Sequence, residues 1–162
     1  MATKAPSKVI GIKSDINYVE RIAVRVIVKN DRNEIIIVRV AKGNYFKLPG
    51  GGIEADEDHI PAAEREVIEE TGCIVTLGGE CIATVEEWRN DLNQLSYCYT
   101  ATLVEDTGAS ELTEMEKDEG LQHEWVFVEA ALEKMRSIEP TSELGKYIKD
   151  RDIFLVETFQ RL

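Results

Sequence analysis

Two runs near the start of the chain, residues 20–29 (ERIAVRVIVK) and 34–40 (EIIIVRV), are β-branched and partly alternating, which predicts two strands. Asp31, Arg32 and Asn33 between them supply turn chemistry, so the pair reads as a hairpin. Tyr45–Leu48 is a short extended piece leading into Pro49 and the triple glycine Gly50-Gly51-Gly52. From Asp58 to Thr71 the period becomes helical, with Ile60, Ala63 and Val67 on one face. Asp58 stands at the N-cap position and Gly72 at the usual glycine stop. Strand-like runs return at 73–76, 79–85, 95–104 and 124–128, and helical patterns at 128–136 and at 142–157, the latter capped by Ser142. This mixture lacks strict βαβ alternation, so it predicts an α+β fold, a mixed sheet flanked by helices, rather than a doubly wound sheet.

Length adds one constraint: 162 residues suit a single domain, and neither a repeat nor a linker divides them. The first fifteen or so residues are expected to be flexible. They carry Lys4, Lys8 and Lys13 but no uninterrupted apolar core of a signal peptide, and nowhere does an apolar run reach the roughly 20 residues of a membrane span. Cys73, Cys81 and Cys98 form no CxxC pair and read as reduced, buried thiols, which points to a cytoplasmic protein. His59 and His123 stand isolated in the sequence and read as surface residues without zinc-ligand spacing. The net charge of −12 argues against nucleic acid or an anionic membrane as partner. Residues 1–50 nevertheless hold ten Lys/Arg against four Asp/Glu, a balance of +6 that leaves −18 for the rest, so a small anionic substrate can be attracted locally. A homodimer is equally compatible with this composition.

The candidate chemistry lies in the first helix. Glu66, Glu69 and Glu70 are i, i+3 and i+4, so three carboxylates share a face despite mutual repulsion of a few tenths of a kcal/mol per pair. Glutamate is also a good helix former, so the trio alone is equally readable as a solvated acidic face. The glycine-rich turn before the helix changes that balance, because it lets backbone approach an ion or phosphate closely. Carboxylate and carbonyl oxygens suit a hard divalent cation.

These residues resemble the signature of the Nudix hydrolases, G-x5-E-x7-R-E-U-x-E-E-x-G-U, where U is a bulky apolar residue. Gly51, Glu57, Arg65, Glu66, Glu69, Glu70 and Gly72 match its seven fixed positions; Val67 fills the first apolar position and Cys73 stands in at the last. The preceding LPGG and the later Glu124-Trp125 are also Nudix-like. Asp56 departs from the glycine common before the first glutamate; acidic residues there, and a triple glycine, are similar to members acting on diphosphoinositol polyphosphates.

The resemblance implies an α/β/α sandwich and hydrolysis of a diphosphate bond with Mg²⁺ or Mn²⁺. It implies metal binding by Glu69, Glu70 and the Gly50 carbonyl, with Glu66 as general base or water-positioning ligand. Arg65 is expected to hold Glu66, and Glu57 to be structural or a secondary metal residue. A carboxylate from the loop 114–120 is expected to complete the site, Glu119 first and Glu116 second, while Glu86 and Glu87 are further candidates. For the substrate, Arg25, Arg39, Lys42 and Lys47 are candidate phosphate contacts alongside Gly51. Tyr45, Phe46, Trp88 and Tyr97 are candidate stacking rings. Stacking points to a nucleoside diphosphate derivative such as an oxidised dNTP or ADP-ribose. A basic cluster points to a diphosphoinositol or dinucleoside polyphosphate. A catalytically silent nucleotide-binding module is the third reading, though the box is intact.

Overall fold

The computed structural model describes residues 5–162. Its strands are β1 (Lys8–Ile10), β2 (Val19–Lys29), β3 (Glu34–Val40), β4 (Tyr45–Lys47), β5 (Gly50–Gly52), β6 (Cys73–Leu77), β7 (Ala83–Arg89), β8 (Leu92–Asp106) and β9 (Leu121–Phe127). Its helices are α1 (His59–Thr71), α2 (Glu114–Glu119), α3 (Val128–Ser137) and α4 (Glu143–Gln160). The strands form a mixed sheet in the order β1-β7-β8-β2-β3-β4, with β5 on β2, β6 on β8 and β9 on β3.

Two cores lie on opposite faces of this sheet. Ile27, Ile35, Ile37, Val85 and Cys98 pack under Leu132 and Met135 of α3 and Leu155 and Val156 of α4. Val24, Val26, Val28, Ile36 and Val38 pack under Ala62, Ala63 and Val67 of α1. Because both faces are covered, β2 and β3 read as continuous apolar runs. Burying each such Val or Ile contributes about 1.5–3 kcal/mol before entropy is counted. The expected α+β class, a mixed sheet between flanking helices, is what forms.

Several local expectations are corrected. The β2–β3 hairpin exists only at its turn, where the Asn30 side chain accepts from the Arg32 and Glu34 amides and Asn33 takes φ 61°. Only Lys29 and Ile35 pair; beyond them β2 turns to β8, in parallel over eleven positions, and to β5. Within the expected flexible N-terminus, Lys8–Ile10 instead pairs in parallel with Val85–Glu87, and Ile10 is buried; residues 1–4 lie outside the described ones. Ile60 is 45% exposed, and Ala62 takes its expected place on the apolar face of α1. Asp58 occupies the N-cap without a side-chain cap bond, whereas Ser142 Oγ accepts from Gly145 N at 3.0 Å. The acidic loop 114–120 is helix α2, started by a Thr113/Glu116 capping box and stopped by Gly120 at φ 71°. No helix of the described residues is long and apolar enough to cross a membrane.

Candidate active site

The triple glycine is strand β5, and glycine is required there by close approach. A Cβ on Gly50, at φ 150°, would stand 2.1 Å from the Val24 carbonyl oxygen, and one on Gly51 2.7 Å from Glu66 Oε1. The missing side chains let carboxylates from α1 reach the backbone of β5. Asp152 of α4 fixes the approach to this strand: buried completely, it accepts the Leu48 amide at 2.9 Å and binds Arg151 at 2.7 Å.

Arg65 organises the carboxylates. Its Nε and Nη2 grip Glu57 at 2.7 and 2.8 Å, while Nη1 donates to Glu66 Oε1 at 3.0 Å and Glu69 Oε2 at 3.2 Å. The bidentate pair holds the Glu57 carboxyl at a pKa of about 2, mainly through the Arg65 bond and secondarily through the Glu54 amide. Glu57 thus serves to hold Arg65 and stands outside the cavity lining. Burial pushes the Glu66 and Glu70 carboxyls up, against the pull of Arg65 and Lys47 respectively. Glu70, only 4% exposed, is engaged on both oxygens, by Lys47 Nζ at 2.9 Å and by Gly50 N at 3.4 Å.

These carboxylates face a cavity of about 490 Å³. Its other half is basic: Arg21 and Arg25 from β2, Arg89 from β7 and Arg151 from α4, with Glu87 and Gln94 between them. Arg25 is 5% exposed and its Nε has no partner; burial, then repulsion from Arg151, lowers its pKa to about 10. Arg89 Nε and Glu87 Oε1 are likewise buried without partners. Gln94 Nε2 and Arg151 Nη1 both bind Glu87 Oε2, at 2.9 and 3.4 Å, leaving Oε1 as a free acceptor. Buried polar groups without partners are rare, and three around one cavity mark a surface shaped for a polar ligand.

Gly50, Gly51, Arg25, Lys47, Arg65, Glu66, Glu69, Glu70, Glu116 and Glu119 all line this cavity. Glu119 closes α2, whereas Glu116 spends Oε1 on the Thr113 amide in the capping box. Arg39, Lys42 and Phe46, expected at the substrate, do not belong here; Lys42 lines a recess with Val40, Gly43 and Thr141. Arg39 bonds Val40 O and Asn44 Oδ1, sits over the Phe46 ring at 5.4 Å, and with Phe46 lines a separate recess beside His123 and Lys134. Among the candidate rings only Tyr45 lines the main cavity; Trp88 packs edge-on against Tyr18 and Tyr97 against His59. Glu86 is absent from the lining and Glu87 present. Arg21, Arg89, Gln94, Arg151 and Asp152 were missed by sequence reading. For Arg151 and Asp152 the signal was a charged pair inside the apolar spacing Ile148–Leu155 of α4; Arg21, Arg89 and Gln94 carried no such mark.

The donor set fits a hard divalent cation. Arg65 binds one oxygen each of Glu66 and Glu69, so Glu66 Oε2 and Glu69 Oε1 remain, and the Glu66 and Glu70 carboxyls, pushed up by burial, gain by facing a cation.

The Nudix domain profile matches residues 19–143, and the chain belongs to the Nudix hydrolase family. No curated protein matches the sequence. Among solved structures, the MutT protein of Methanosarcina mazei Go1 is similar at TM-score 0.62 and 22% identity, covering 91% of this chain and 97% of its own. The ORF135 protein of E. coli is similar at TM-score 0.59 and 23% identity, covering 90% and 91%. A Nudix hydrolase of Nitrosomonas europaea is similar at 0.61 and 18%, covering 88% and 90%. At these identities the likeness speaks for the fold.

Proposed function

We propose that this enzyme hydrolyses a diphosphate bond in a nucleoside diphosphate derivative, with a divalent cation such as Mg²⁺ or Mn²⁺ at the carboxylates of α1. The observation that carries the reading is the junction of two halves in one cavity: three helix carboxylates against an all-glycine strand, opposite the unpartnered Arg25.

Glu69 Oε1 and Glu119 would hold the cation, with the Gly50 carbonyl as a further oxygen, which leaves Glu66 Oε2 free to face the attacking water. Glu70, now bound to Lys47 at 2.9 Å, would be a further ligand, and Lys47 beside it would be a cation for a phosphate oxygen. The ion would neutralise the diphosphate and make a bound water more acidic. Glu66 accepts the water's proton, and Arg65 fixes the carboxylate in the orientation that reaction needs. Arg25 and Arg89 supply donors to phosphate oxygens, and the leaving phosphate needs little more than this positioning and charge.

The four arginines of the basic half would by themselves suit a polyphosphorylated inositol as well, so the nucleoside reading rests on Glu87. Its buried Oε1 requires a donor, which the hydroxyls and base N–H groups of a nucleoside provide and a densely phosphorylated inositol does not. The single ring, Tyr45, limits stacking, so recognition here is chiefly by hydrogen bonds.

A Mg²⁺-supplied panel of oxidised dNTPs, ADP-ribose, dinucleoside polyphosphates and diphosphoinositol polyphosphates tests the assignment. Nucleoside monophosphate release that stops in excess chelator and returns with Mg²⁺ or Mn²⁺ is expected. Turnover of the inositol substrates alone would transfer the assignment to that class. Nucleotide binding without turnover of any substrate would make the chain a binding module.

A further inference from the structure

Three residues on the α1 side of the sheet, none of them lining the catalytic cavity, converge in a way their sequence separation conceals. The Sγ of Cys73, a carboxylate oxygen of Asp106 and a ring nitrogen of His123 all lie within 4.8 Å of one another. His123 therefore is not isolated, as its place in the sequence suggests.

The backbone shows how they meet. Cys73 pairs with Asp106 and Val75 with Leu103, so the β6–β8 register shifts between Ile74 and Val75. Asp106 and Leu103 are three residues apart and in a regular strand would point to opposite faces. The extra residue turns Asp106 onto the face of Cys73, the re-aiming that bulges perform. His123 comes from β9, between Leu121 and Trp125, which pack against the same core that contains Cys73. Asp106 is further oriented by Gly108 N to Oδ1 at 3.0 Å and Trp125 Nε1 to Oδ2 at 3.5 Å. Among the described residues no lysine or arginine pairs with this carboxylate, and the Cys73 thiol beside it makes one long bond, to Thr71 O at 3.9 Å.

We propose that Cys73, Asp106 and His123 form a second cation site, which takes a borderline-soft divalent ion, Zn²⁺ or Co²⁺. Sulfur, nitrogen and oxygen from three side chains are the donor types such an ion accepts, with water in the fourth tetrahedral position. Cys73 is buried and Asp106 exposed, so the ion would sit at the surface with its sulfur ligand beneath. It would tie the end of α1, just beyond Glu69 and Glu70, to β8 and β9. Mg²⁺, a hard ion that favours oxygen, would be excluded by the thiolate.

Co²⁺ titration of the full chain, with Mg²⁺ in excess to occupy the carboxylates, tests this. Only a cysteine ligand gives a thiolate-to-cobalt charge-transfer band, so the readout is independent of hydrolysis and of the reading of the catalytic centre. The band should appear with the wild type and be displaced by Zn²⁺, and Zn²⁺ should raise the thermal midpoint. Cys73→Val, which restores an apolar residue at that position and spares the fold, should abolish the band, and Cys81→Ala should leave it intact. His123→Gln should weaken binding by at least about tenfold. No band with the wild type, a band that survives Cys73→Val, or equal affinity in His123→Gln would overturn the proposal.

Discussion

Asp152→Asn tests whether the buried charges under the cavity hold it together. Asp152 is fully buried and accepts two bonds from Arg151, at 2.7 and 3.3 Å, and one from the Leu48 amide at 2.9 Å. Asparagine retains an acceptor for Leu48 but removes the charge, leaving Arg151 with Glu87 at 3.4 Å. Removing one partner of a buried ion pair costs about 3–5 kcal/mol, because the other is stranded. For a chain of this size that lowers the thermal midpoint by roughly 6–20 °C. Asp152→Ala should cost a further ~1–3 kcal/mol, since the Leu48 amide loses its acceptor. Replacing both charges, as Arg151→Met with Asp152→Leu, should recover only part of the loss, since the Leu48 amide still has no acceptor and the buried Glu87 loses Arg151. Urea or calorimetric unfolding of the three variants measures this. A cost below about 1 kcal/mol for Asp152→Asn would refute the account.

Arg25→Met should lower kcat/KM for the diphosphate by roughly 10- to 150-fold, the worth of a charged hydrogen bond, while leaving stability equal or higher because a desolvated cation is removed; parallel kinetics and melting decide. Glu66→Gln should reduce kcat by about 10²–10⁴-fold without loss of stability, and near wild-type turnover would place the chemistry elsewhere. Glu119→Gln should slow turnover more than Glu116→Gln, whose main effect is a weaker α2 cap; initial rates at saturating Mg²⁺ rank them. Glu57, held at a pKa of about 2 against an ordinary value of about 4.3, stabilises the fold fully above pH ~4.3 and loses that contribution as pH falls towards 2. Acid titration should therefore unfold the wild type over that window more steeply than Glu57→Gln, which starts out less stable at pH 7.

What the sequence displayed and what it hid follow from the same cause. Helix α1 was legible because its period, its glycine stop and its carboxylate spacing are local. Strands β7 and β8 were read as ending at Val85 and beginning at Leu95, yet they continue to Arg89 and from Leu92, closed by Asn90 at φ 53°. Their hidden ends contain Glu87, Arg89 and Gln94, which line the cavity. A strand end that lines a polar site loses apolar alternation, so pattern reading stops where the site begins. Arg39 and Phe46 failed for the complementary reason. Residue type made them suitable, but the pairing of β3 with β4 and β9 turns them to another recess.

The charge distribution explains how a chain of net charge −12 can receive a polyanion. Arg21 and Arg25, two of the ten cations in the first fifty residues, share one face of β2, beside Glu87 and Gln94 of the β7–β8 hairpin. Glu66 and Glu70 arise from α1, on the opposite face of the sheet. The two sets meet because β5 is three glycines wide and presents no side chain between them. A Cβ at Gly51 would meet the Glu66 carboxylate at 2.7 Å, so that side chain would have to turn aside. The long-range field of the protein thus opposes the substrate, while the field within the cavity, where Arg25 and Arg151 are buried, favours its phosphates. Association should accordingly quicken with moderate salt, which screens the outer repulsion over about 10 Å and leaves the buried Arg25 contact nearly unchanged.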